Sequence, residues 1–86
     1  MAEVHAAITA HSTRQNKIVR TFFLLDQKRE AAIEEAIRKC KRKESFTVDQ
    51  INEITIEMRK LSSTGIVPVR QLVTKEMVAE YVNQKQ

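Results

Sequence analysis

Two imidazoles, one thiol and a knot of cations are the groups in this 86-residue chain whose chemistry could reach beyond packing. His5 and His11 lie six residues apart, a spacing that turns a helix by about 240° and puts the rings on different faces. A zinc-binding helix instead presents an i,i+4 pair, so the spacing argues against a metal site. Cys40 has no histidine or acid at a nucleophile-activating spacing and reads as a small hydrophobe on an apolar stripe. Ser12, Ser62 and Ser63 stand in no catalytic motif. No catalytic, cofactor-binding or metal-ligating residue is expected, and the chain is not expected to be an enzyme.

The cations are Arg38, Lys39, Lys41, Arg42 and Lys43, in the run RKCKRK. Such a cluster can contact phosphates in salt-dependent nucleic-acid binding. No aromatic side chains interleave with it for base stacking, and no RNA-binding signature accompanies it. A helix C-terminus accounts for the same residues, because its exposed carbonyls favour positive charge. Glu34 with Arg38 and Glu35 with Lys39 are spaced as i,i+4 ion pairs that would support that helix. A helix-turn-helix is disfavoured by the long connection between Leu61 and Thr74.

The elements that must carry these groups follow from periodicity. Val4, Ile8, Ile18, Phe22, Leu25, Ala32, Ala36 and Cys40 fall on one helical stripe, with His11 and Gln15 as polar members of it. The spacing predicts a long first helix, straight or bent near residues 12–15. Thr47 and Gln50 form a capping-box pattern, with Phe46 and Ile51 at staple positions, so a second helix is expected to start at Thr47. Its seam is Ile51, Ile54, Met58 and Leu61. A third, short helix is expected after Thr74, stapled by Val73 and Val78, with Met77, Val78, Tyr81 and Val82 buried.

Between the second and third helices stands GIVPVRQLV, which holds the chain's only glycine and only proline. Gly65 is suited to the left-handed turn that closes a helix, with Ile66 folding back as its apolar partner. Pro68 pushes Val67 into an extended conformation, and it could open one helical turn containing Leu72. The segment is expected to cross the fold as an apolar clamp over the rings of the first helix. Arg70 within it is expected to reach outward along Val69 and Leu72, or to pair with Glu76.

FFLL, residues 22–25, is the anomaly. Four consecutive helical residues point about 100° apart, whereas an outer helix of a small bundle buries one face. Phe22 and Leu25 fit the stripe, while Val19, Phe23 and Leu24 need another cover, either the crossing segment or a second copy of the chain.

Composition sets the remaining bounds. Length and a 42% apolar content suit one small helical domain over residues 1–86, and one Gly with one Pro leaves little turn chemistry for an all-β fold. Residues 1–43 carry ten Lys or Arg against five Asp or Glu, so the net charge of +4 belongs to the first half. No apolar run is long enough for a bilayer, and a single cysteine suits a reducing, cytoplasmic setting.

VHAAITAH, FTVDQINEIT and GIVPVRQLVTKEMV, in that order, resemble the small uncharacterised YpbS-like family of bacilli. The resemblance covers nearly the whole chain. It implies a cytosolic bacterial protein from a family without an established activity or cofactor, and it transfers no site residue. The expectation is thus an all-α fold, with a long first helix packed antiparallel on a second, a Gly/Pro crossing segment and a short last helix. Its function is expected to be that of a non-catalytic interaction module, self-associating as a homodimer through Val19, Phe23 and Leu24, or engaging another protein. The alternative is a small nucleic-acid binder using residues 38–43.

Overall fold

A computed structural model of the chain describes the backbone of residues 2–85 and the side chains of residues 14–84. Three helices follow one another: α1, Ala2–Lys41; α2, Asp49–Ser62; and α3, Lys75–Lys85. No strand occurs among the described residues. Helix α1 is continuous across residues 12–15, and it packs against both α2 and α3. The side chains of His5, His11 and Ser12 lie outside the described residues.

The predicted stripe of α1 meets the predicted seam of α2 in two apolar clusters. Phe22, Met58 and Val67 form one, with Ile18, Leu25, Ile54 and Leu61 packed on it. Ala36, Ile51, Val73 and Val78 form the other, joined by Ile33, Ile37, Cys40 and Phe46. Phe22 pairs with the late residue Met58 and Ala36 with the early residue Ile51, which makes α1 and α2 antiparallel.

A polar layer divides the clusters. Thr55 is fully buried, donates to the Ile51 carbonyl at 2.8 Å and accepts from Arg29 Nε at 2.8 Å. Arg29 occupies the stripe position between Leu25 and Ala32, so a guanidinium lies where the heptad-like pattern would place an apolar side chain. Its other end donates to the Gln71 carbonyl at 2.8 Å. A buried donor or acceptor left unpaired is costly, so this layer favours the one register that satisfies it.

The helix ends differ from the sequence expectation in instructive ways. Helix α2 starts at Asp49, with Val48 at the cap position and no side-chain cap bond, so the Thr47–Gln50 capping box does not form. Phe46 and Val48 are instead drawn onto the second cluster, and Asp49 supplies negative charge to the first turn. Helix α1 ends in a Schellman motif: Lys43 N–H donates to the Cys40 carbonyl at 3.0 Å, and Glu44 N–H to the Lys39 carbonyl at 2.9 Å. Lys43 takes the left-handed φ of 60° that glycine usually supplies there. Gly65 is also left-handed, at φ 79°, three residues beyond the end of α2. Ile66 does not fold back; it stays exposed, and Val67 is the residue that buries. Thr74 caps α3 as expected, its Oγ1 accepting from the Met77 N–H at 3.2 Å.

Residues 66–74 form no helical turn at Pro68. They run back along α2, held by their backbone. Ser62 Oγ donates to the Pro68 carbonyl at 2.7 Å and Arg59 Nε to the Arg70 carbonyl at 3.1 Å. Asn52 Nδ2 donates to the Val73 carbonyl at 2.9 Å, while the Val73 N–H donates to Asn52 Oδ1 at 2.8 Å. Ten helical residues rise about 15 Å, and five extended ones span about 17 Å, so the path from Pro68 to Val73 must be nearly straight. Asn52, Thr55, Arg59 and Ser62 recur every three or four residues, which puts them on one face of α2.

Candidate interaction surface

Val19, Phe23 and Leu24 are 48%, 57% and 53% exposed, while Phe22 beside them is buried. Helical rotation accounts for the contrast: Phe22 follows the stripe that faces α2, and Phe23 is turned about 100° from it. The crossing segment reaches only the buried ring. Val67 packs in the Phe22 cluster, and the Arg70 guanidinium lies 5.5 Å above the Phe22 ring. Arg70 therefore does not reach outward or pair with Glu76. It turns back over α1, donating to the Asp26 carboxylate at 3.4 and 3.5 Å, because ring face and carboxylate together offer a cation more than solvent does at that half-covered site.

The segment also covers less than an apolar clamp would. Val69 and Leu72 are exposed, and Val67 and Val73 are the apolar side chains of the segment that are buried. Similarly, α3 buries Val78 and Val82 but leaves Met77 and Tyr81 exposed. Those two line an open groove of about 370 Å³ between α1 and α3, floored by Ile33, Ile37 and Val73 and edged by Glu30 and Glu34.

The cations at the end of α1 divide. Arg38 is hydrogen-bonded to Glu35, one turn back, rather than to Glu34 as the i,i+4 spacing suggested. That hydrogen bond and the guanidinium charge hold the Glu35 carboxyl below the usual carboxylate range and raise Arg38. Arg42 lies 3.9 Å from Glu44. Lys39 is half-buried, and Lys41, Arg42 and Lys43 are exposed where the helix ends. Among the described residues, no group of three or more His, Cys, Asp or Glu side chains could hold a metal ion. Nor, among the described residues, is any helix long and apolar enough to cross a membrane.

Sequence periodicity singled out the exposed trio but missed the groove and the polar strap. The strap's signal was present in the three- and four-residue spacing of Asn52, Thr55, Arg59 and Ser62.

Comparison with known proteins supports this architecture's membership of a group of relatives without telling its role. The chain is 54% identical over 83 residues to the uncharacterized protein YpbS of Bacillus subtilis (strain 168), covering 96% of this chain and 98% of that one. No solved structure matches it. Residues 2–84 match the model of a protein family of unknown function, DUF2533, and the chain belongs to that family.

Proposed function

We propose that the chain is a non-catalytic helical interaction module of the cytoplasm that self-associates through the outward face of α1. The observation that carries this reading is the exposure of Val19, Phe23 and Leu24 on a helix that has already satisfied its core with Phe22. The shape supports it. The molecule is 62 Å long, with a radius of gyration of 17.7 Å, against about 12 Å for a compact domain of this length. Among the described side chains of α1, Ile18 is the first in either cluster, and Arg14 and Lys17 before it are exposed. Helices in water draw most of their stability from packing, and a second copy along Val19, Phe23 and Leu24 adds to it.

The non-catalytic part of the reading is supported by how the inward polar groups are used. Arg29, Asn52, Thr55 and Ser62 bind backbone or one another. The nucleic-acid reading of residues 38–43 ranks behind self-association, because Arg38 and Arg42 already face carboxylates. Light scattering at micromolar concentration tests the proposal: the expected mass is about twice 9.9 kDa, and Phe23→Glu is expected to return it to 9.9 kDa with helicity retained. A wild-type mass of 9.9 kDa throughout would overturn it.

A further inference from the structure

We infer that the second copy docks antiparallel, laying its stretch around Val19, Arg20 and Phe23 into the acid-edged groove between α1 and α3, with the reciprocal contact closing a two-fold dimer. The inference rests on the self-association reading and adds its geometry.

Val19, Phe23, Glu30, Glu34 and Ile37 are spaced by four, seven, four and three residues, so they share one stripe of α1. That stripe is two-toned. No Asp or Glu occurs between Glu3 and Asp26, and the exposed Arg20 flanks the stripe beside Val19 and Phe23. Farther along, Glu30 and Glu34 edge the groove, whose apolar wall Met77 and Tyr81 extend. A parallel pair would set Arg20 level with Arg20 and Glu34 level with Glu34, on opposite flanks of the seam, so that no opposite charges meet. An antiparallel pair centred on Gln27, midway between them, sets each Arg20 against the partner's Glu34 and brings Phe23 to the level of the groove. A two-fold axis perpendicular to the helix pair keeps a side chain on its own flank, and Arg20 and Glu34 lie on the same flank of the stripe. Charge here selects orientation, and the apolar contacts supply most of the affinity.

Charge exchange provides the test. Arg20→Glu and Glu34→Arg are each expected to weaken the dimer by roughly tenfold or more, since each places two like-charge contacts in a symmetric pair, and the double variant is expected to recover most of the loss. Both positions are exposed, so folding is expected to survive and circular dichroism checks it. Cross-linking gives an independent readout in a Cys40→Ser background. Gln27→Cys is expected to form an interchain disulfide, whereas Glu34→Cys, about 21 Å from its counterpart in this arrangement, is not. A disulfide through Glu34→Cys, or a double variant no better than the singles, would overturn the antiparallel geometry. If Phe23→Glu still yields a monomer in that case, self-association stands without it. A monomeric wild type removes both.

Discussion

Asn52 grips Val73 at both of its backbone polar groups, its amide nitrogen donating to the carbonyl at 2.9 Å and its amide oxygen accepting from the N–H at 2.8 Å. One side chain thus stands in for a neighbouring strand at the point where the crossing segment enters α3. Asn52→Ala is expected to lower stability by about 2–3 kcal/mol, because Val73 is buried and both its groups lose their partners. Urea denaturation measures it, and a loss under about 0.5 kcal/mol would mean that water replaces the amide without penalty.

Thr55→Val tests the polar layer. The change keeps the volume but removes the acceptor of Arg29 Nε, with an expected loss of about 1–2 kcal/mol. Stabilisation instead would show that the layer specifies register at a net energetic cost.

Phe22 and Leu72 make a matched pair. Phe22→Ala removes a buried ring and is expected to lose about 3–5 kcal/mol, while Leu72→Ala, at an exposed position, is expected to change stability by under about 1 kcal/mol. A large loss at Leu72 would place it in a contact that a monomer does not supply.

The two left-handed residues give opposite signs. Lys43→Gly relieves the positive φ that closes α1 and is expected to stabilise by up to about 1 kcal/mol. Gly65→Ala is expected to destabilise by about 1 kcal/mol, although an added Cβ would meet nothing within 4 Å, so the effect isolates backbone strain from crowding. Thermal melts of the two variants should move in opposite directions.

Glu35 is expected to titrate below the usual carboxylate range in carbon-detected NMR, and Arg38→Gln should raise it toward that range. The sign follows from linkage: a carboxyl whose folded pKa is depressed contributes stability above its unfolded pKa, lost as pH falls through the folded one. Both side chains are exposed, so the change in pH-dependent stability should be small and salt-sensitive.

Apolar spacing made much of this fold legible. Periodicity alone places Phe22, Ala36, Ile51 and Met58 on the facing stripes of α1 and α2, and Thr74 is recognisable as a cap from its place before a stapled helix. What the spacing leaves out has a common cause. Arg29, Asn52 and Arg70 look like surface residues by type, yet each turns inward because a carbonyl, a ring face or a carboxylate waits there, and sequence spacing does not show where a distant backbone will lie. Thr47 does not cap for the complementary reason: the half-buried Phe46 and Val48 pack on the second cluster, and Val48 takes the cap position. The exposed Val19, Phe23 and Leu24 were legible as a misfit, while the groove opposite their stripe needed α3 to be placed before it existed.

Because the helices hold the crossing segment by its main chain, the identities of Val69, Gln71 and Leu72 matter little to the hold. Those three positions are open to replacement, and the outer surface of the strap can acquire new chemistry while the scaffold beneath it stays the same.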